Sequence, residues 1–324
     1  MLKCLTIGSL TLKNNLMLAP MAGITNLPMR ILSRECGASL CFTEMVSVNG
    51  LVRDARKSFE LLQSSPDDRP LGVQLFGDDP LQLAEAARII EGDCDLIDIN
   101  MGCPVRKVVN CGAGSALLRE PERVREIIGS VRKATFLPLT IKIRIGWQED
   151  EPSFLEIARI AEAEGCDAIT LHPRSRAQMF EGKADWSKIT ELKQNIGIPV
   201  IGSGDLFSAP DIVAMLRQTN CDGVMVARGA LGYPWIFREA LEILAGHGTS
   251  CPTPQERLAT ALRHMDLFVE LAGERVAVLE MRKHLCWYAR GISGSARFRN
   301  MVNIIEGIEP LTQLLRDFFE GLEN

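Results

Sequence analysis

The chain has 324 residues, 46% hydrophobic and 24% charged, with ten cysteines and a formal net charge of −5. Such a balance excludes a polyanion binder over its whole surface, though not a local basic patch. Without a C-x-x-C pair there is no signal for a zinc ribbon or a ferredoxin-like cluster.

The N-terminus lacks the charged-then-apolar-then-small pattern of a secretion signal, with Lys13 interrupting the early apolar residues. No apolar stretch approaches the roughly 18 residues needed to span a bilayer. The expectation is a cytoplasmic protein without membrane contact, and a monomer.

Taken in order, short apolar runs recur at 16–19, 40–43, 71–75, 96–99, 139–143, 168–171, 199–201 and 223–226. Between them lie segments of helical period. In 121–134 the residues Val124, Ile127, Ile128 and Val131 fall at i, i+3, i+4 and i+7, behind a Pro suited to a first turn. Phe154, Ile157, Ala158 and Ala161 repeat the pattern, and Leu83, Ala87 and Ile90 follow it loosely. Eight strand-helix repeats within roughly 240 residues predict an α/β fold, a (β/α)8 TIM barrel. A doubly wound open sheet is the alternative, but the Gly-x-Gly-x-x-Gly it needs after the first strand is absent. Residues 246–256 are turn-rich and read as a linker. Beyond them 257–324 shows helical pattern only, so the expected organisation is a barrel over 1–245 and a small all-helical domain over 257–324.

Barrel enzymes build their sites just past the C-terminal strand ends. Those positions hold Pro20, Met21 and Ala22 after the first run, Glu44 after the second, Gln74 at the third, and Asn100 and Cys103 after the fourth. Lys142 and Arg144 end the fifth; His172, Arg174 and Arg176 follow the sixth. Ser203, Gly204 and Asp205 follow the seventh, and Ala227 and Arg228 the eighth. Polar groups thus converge from nearly every strand. The two glycine-bearing loops at the end of the series occupy the usual barrel phosphate site, where backbone N–H groups and Arg228 suit a phosphate monoester. Lys142 sits in an apolar run and needs either a partner or a route to water. Cys103, held between a Gly and a Pro, is either a reactive thiol or a small core hydrophobe. His172 reads equally as a core histidine. Glu44, Asp98, His172 and Asp205 could be gathered into a metal site on paper, but no ligand spacing supports one, and a phosphate-bearing cofactor fits better.

Several segments resemble the tRNA-dihydrouridine synthases, and within them the bacterial B-type branch. These are Leu18-Ala19-Pro20-Met21-Ala22-Gly23-Ile24-Thr25, Asp98-Ile99-Asn100-Met101-Gly102-Cys103-Pro104, Gly112-Ala113-Gly114-Ser115-Ala116-Leu117-Leu118, Lys142-Ile143-Arg144-Ile145-Gly146-Trp147 and Gly232-Tyr233-Pro234-Trp235-Ile236-Phe237. The resemblance implies an FMN-dependent barrel, reduced by NAD(P)H, that passes a hydride to C6 of a uracil in tRNA. It makes Cys103 the general acid to C5 and places Pro20, Met21, Ala22 and Gln74 along the isoalloxazine. Lys142 would sit at its N1/O2 edge and His172 beside it, while Ser203, Gly204, Asp205, Ala227 and Arg228 would hold the phosphate. Asn100 would position the base, with Arg144 and Arg174 on the substrate side. Ser203 and Ala227 depart from the family's usual Asn and Gly, leaving backbone N–H groups to serve at both positions.

A thiol of ordinary pKa near 8.5 is mostly protonated at neutral pH and can donate without tuning. Residues 282–299 carry Arg282, Lys283, Arg290, Arg297 and Arg299 with no acid, and Trp287 and Tyr288 among them. That run is either a solvated helix face or the contact with an RNA backbone. Two other functions are open: an FMN barrel dehydrogenase for a free pyrimidine or other small enone, and an RNA-binding barrel without chemistry.

Overall fold

The computed structural model describes residues 2–322; Met1 and residues 323–324, the ends of the expected first and last segments, lie outside the described residues. Ten strands run in order: β1 (Leu5–Ile7), β2 (Leu10–Leu12), β3 (Leu16–Leu18), β4 (Leu40–Ser47), β5 (Leu71–Phe76), β6 (Leu96–Met101), β7 (Leu139–Arg144), β8 (Ala168–His172), β9 (Val200–Ser203) and β10 (Gly223–Val226). Strands β3 to β10 pair in parallel and close into a barrel, β10 against β3. The chain is therefore a (β/α)8 barrel followed by helices. The β1–β2 hairpin lies outside the eight expected strands; three-residue strands carry too little periodicity to be read from sequence.

Alternate residues along each strand explain how polar groups came to sit in apolar runs. At the N-terminal end the inward positions are apolar: Met17, Leu40, Phe42, Leu96, Ala168, Ile201 and Met225 pack with Leu5, Ile7 and Leu12 of the hairpin, which covers that end. One step further toward the C-terminal ends the same face becomes polar, with Gln74, Asp98 and Thr140 side by side in register. A second step brings Asn100 opposite Lys142, and the next brings Arg144 opposite His172. The outward face stays apolar and packs on the surrounding helices, including Pro80–Ile89, Pro121–Ala134 and Phe154–Ala163.

The C-terminal part forms four helices, Pro254–Ala272, Glu274–Tyr288, Ser295–Ile304 and Ile308–Glu320, around a core of its own that also takes in Trp235. The first begins three residues before the expected boundary at 257. Thr253 caps it, accepting from Glu256 N while the Glu256 carboxylate accepts from Thr253 N, and Pro254 fills the first turn. The segment after β10 meets these helices at Gly232, whose φ is +65° and where a Cβ would lie 2.4 Å from the Trp287 carbonyl carbon. Only glycine permits that backbone-to-backbone approach.

His264 and His284 are buried in the helical core, their ring centroids 4.5 Å apart. The Tyr288 hydroxyl lies 3.2 Å from His264 Nδ1. Burial pushes His264 down to about 3, and burial, helped by the neighbouring His264 ring and Lys283, holds His284 well below its ordinary value. Both rings are neutral in the folded protein, so the unfolded chain binds more protons as the pH drops below about 6.5. The folding free energy is fully present above that pH and is lost as the pH falls toward the folded values. His264 should contribute a loss on the order of 2 kcal/mol at pH 5, and His284 a further loss in the same direction. Urea denaturation from pH 7.5 to 5, beside His264→Phe, checks this: the variant's stability should fall less steeply over the same range.

Candidate active site

The polar upper half of the barrel opens into a cleft of ≈ 320 Å³. Its floor is a closed hydrogen-bond chain. Asp98 is fully buried and accepts from Gln74 Nε2 at 2.7 Å and from Thr140 Oγ1 at 2.6 Å. Burial raises its carboxyl to about 6, opposed by those two donors and by Lys142. Gln74 Oε1 in turn accepts from Asn100 Nδ2 at 2.8 Å. The Asn100 carbonyl then takes both N–H groups of the turn beyond its strand, Gly102 at 3.1 Å and Cys103 at 2.8 Å. Asn100 thus caps the cysteine turn while lining the cleft. The turn is pinned from the other side, where Ser115 N donates to the Cys103 carbonyl at 3.0 Å and Arg144 Nε to the Gly102 carbonyl at 3.0 Å.

Cys103 is half-buried and lines the cleft. Burial raises its thiol above the ordinary value, against the lowering effects of the Val105 N–H, Arg144 and Lys142. Protonated at neutral pH, it is suited to give a proton and poorly suited to attack as a thiolate. Lys142 projects into the same cleft with no hydrogen-bond or ion-pair partner among the described residues. Desolvation and the neighbouring Arg144 bring it down to about 8.

The wall from β3 carries Pro20, Met21 and Ala22. Its shape is set by Thr25, whose hydroxyl accepts from Met21 N at 2.9 Å, and by buried Arg30, which donates to the Thr25 carbonyl and pairs with buried Asp68. Glu44, now inside a strand that runs on to Ser47, accepts from Gly23 N. Across the cleft, Ser203 turns its hydroxyl into the barrel onto the Met225 carbonyl at 2.9 Å. Gly204 is required by its neighbours: its φ is +112°, and a Cβ would lie 2.9 Å from His172 Cδ2. The Arg228 guanidinium sits 5.0 and 5.1 Å from the ring centroids of Phe180 and Phe207, half-exposed aromatics at the mouth. No motif announces these two rings or the Thr25–Arg30–Asp68 anchor, because their role arises from pairing between distant loops.

The structure ties four of the cations expected on the substrate side to partners within the protein. Arg144 is 2% exposed, lines the cleft and donates to the carbonyls of Gly102, Ser175 and Met179. Arg174 is 1% exposed and spends its donors on Glu181, Gly182, Asp205 and His172. Arg282 is half-buried and donates to the Ile305 carbonyl. Lys283 pairs with Glu280, an acid two residues before the basic run begins. Arg290, Arg297 and Arg299 are exposed. Tyr288 is buried and Trp287 packs on His284, so neither is a free stacking surface.

The model of the family described as "Dihydrouridine synthase (Dus)" matches residues 17–322. The chain belongs to the dihydrouridine synthase family. It is 40% identical over 320 residues to tRNA-dihydrouridine synthase B of Pasteurella multocida, covering 98% of this chain and 95% of the relative. The corresponding protein of Pseudomonas aeruginosa is 39% identical over 321 residues, covering 98% and 96%. The likeness to such B-type proteins places the chain in that branch. Among solved structures, 2-naphthoyl-CoA reductase in complex with 2-naphthoyl-CoA superposes with a TM-score of 0.56 at 13% identity. The match spans 76% of this chain and 52% of the other, a likeness of fold alone. Dihydrouridine synthases are flavin-dependent oxidoreductases, and the cleft fits such a group: the partnerless Lys142 ammonium and the cations Arg144 and Arg228 face it, while Met21, Ala22 and Phe180 supply apolar walls.

If Asn100 holds the cysteine turn, Asn100→Ala leaves two N–H groups without their acceptor. The variant should lose about 2 kcal/mol of stability and expose Cys103 to iodoacetamide faster than the wild type. Unchanged alkylation of Cys103 and an unchanged unfolding midpoint would refute the assignment.

Proposed function

We propose that the protein reduces uridines of tRNA to 5,6-dihydrouridine, with FMN as the cleft's cofactor and NAD(P)H as the source of electrons. The observation that carries this reading is a neutral Cys103 thiol sharing one cleft with a partnerless Lys142. FMN, when bound, supplies hydride chemistry at uracil C6. The chain's residues do the rest. Pro20, Met21, Ala22 and Gln74 would bound the flat ring, and Lys142 would face the edge where negative charge develops. Backbone N–H groups at Ser203, Gly204 and Ala227, with Arg228, would hold the phosphate, and Asp205 would steady Arg228, 3.6 Å away. Cys103 donates its S–H proton to C5 and recovers one from solvent afterwards. In this reading residues 1–245 carry the chemistry, 246–256 connect, and 257–324 carry the tRNA contact through Arg290, Arg297 and Arg299.

The target base must leave its stack, at a cost of a few kcal/mol that the RNA contacts offset. An RNA-free dehydrogenase would need neither those contacts nor the helices.

Incubation of the purified protein with unmodified tRNA and NADPH should produce dihydrouridine, and Cys103→Ala should lower the rate by about 100-fold or more. A yellow, NADPH-oxidising protein that makes none would overturn the tRNA reading in favour of a small enone. Joint replacement of Arg290, Arg297 and Arg299 by Ala should weaken tRNA binding and flatten its salt dependence, by up to about three charges in slope. Because the free protein's Lys142 loses its charge as the pH rises through about 8, FMN affinity should fall from pH 7 to pH 9. Lys142→Met should abolish that dependence, as fluorescence quenching on titration will show.

A further inference from the structure

One buried arginine joins two loops of the site without facing the cleft itself. Arg174 follows β8 and directs its guanidinium toward the loop after β9. Its Nη2 donates to both carboxylate oxygens of Asp205, at 2.9 and 2.7 Å, and to the Gly182 carbonyl at 2.7 Å. Its Nε donates to the Glu181 carbonyl at 3.0 Å. The remaining arm, Nη1, lies 3.2 Å from His172 Nε2.

A guanidinium has only donors and keeps its charge throughout the range in which histidine titrates. In that contact His172 Nε2 can only accept, so it carries a lone pair, and the proton of the neutral ring lies on Nδ1. The opposite arrangement, a carboxylate accepting from a ring N–H, would favour the imidazolium; a cation at this nitrogen opposes it. No charge facing the ring offsets this. Lys142 and Arg144 from β7 and Arg228 from beyond β10 are all positive, and the Asp205 carboxylate of the β9 loop is engaged by Arg174 itself. The Cδ2–Nε2 edge is also the one packed on Gly204, 2.9 and 3.3 Å from where its Cβ would be. The ring lines the cleft, and its Nδ1 has no protein partner among the described residues.

We propose that Arg174 is a positioning residue that holds His172 as the neutral Nδ1–H tautomer, so that the ring offers the cleft a fixed hydrogen-bond donor and takes no part as an acid. The identity of the acceptor rests on the flavin reading, as a carbonyl oxygen or ring nitrogen of the cofactor. The tautomer does not rest on it. Arg174 also aligns Asp205, so a single side chain sets the position of one group on each of two strand-end loops.

The test is two-bond 1H–15N correlation on the cofactor-free protein labelled with 15N-histidine. Only four histidines are present, and His172→Asn identifies the signals of interest. The expected result is a proton on Nδ1 and a bare Nε2, unchanged from pH 5.5 to 8.5. A proton on Nε2, or titration near the ordinary histidine pKa, would overturn the proposal. In Arg174→Met/Asp205→Asn, which leaves no unpaired carboxylate behind, His172 should populate both tautomers or titrate. A folded double variant with an unchanged Nδ1–H pattern would show that Arg174 does not set the tautomer. Adding FMN should shift the Nδ1–H signal of the wild type. The predicted tautomer without any response to FMN would sink the flavin reading and leave the role of Arg174 standing.

Discussion

The barrel interior changes from apolar to polar halfway along its strands, and everything at the mouth depends on how that change is satisfied. Inside a closed barrel there is no water-rich surface on which Gln74, Asp98 and Asn100 could find partners, so each must be bonded to another. They are bonded in sequence, from Thr140 through Asp98, Gln74 and Asn100 to the N–H groups of Gly102 and Cys103. Donation runs from the turn's N–H groups through Asn100 and Gln74 to Asp98, which accepts from Thr140 on its other side, and the Asn100 side-chain oxygen fixes Cys103 at the cleft. A structural need, satisfying buried amides, therefore positions the Cys103 thiol.

The second constraint is charge. Lys142, Arg144, Arg174 and Arg228 lie around the ring of His172, and Asp205 is the carboxylate that answers Arg174. Burial first, and then the gathered cations, lower the affinity of Lys142 and His172 for protons, so the cluster is unfavourable in the protein alone. The same gathering favours a phosphate and any group on which negative charge develops, so the site is better balanced with its ligand than without it. The surface ion pairs Glu35–Arg263 and Arg238–Glu256 join barrel to helices but are solvated. The fit at Gly232 and the burial of Trp235 in the helical core do more to fix that junction.

Several features could be read directly from residue order. The eight parallel strands follow from eight apolar runs separated by helical period, and the cleft from the polar residues at their C-terminal ends. The strand limits differ from the expected ones by a few residues, most at β4, which runs on through Glu44 to Ser47. Lys142 and Cys103 were visible as chemically odd residues in apolar or stiff surroundings. Direction was not visible. Nothing in the order Arg174-Ser175-Arg176 says that the first arginine turns inward while Arg176 lies over the Trp147 ring at 4.6 Å. Nor does a run of five cations from 282 to 299 reveal that Glu280 takes one of them and a backbone carbonyl another.

Fold, family and the placing of a thiol and a lysine at the cleft are thus properties of the residue pattern, since hydrophobic period and strand-end position depend on neighbours in the chain. The direction of each arginine, the protonation of His172 and the capping role of Asn100 belong to the tertiary structure. They are settled by which buried donor meets which acceptor across strands far apart in sequence, and no local rule of spacing contains that information.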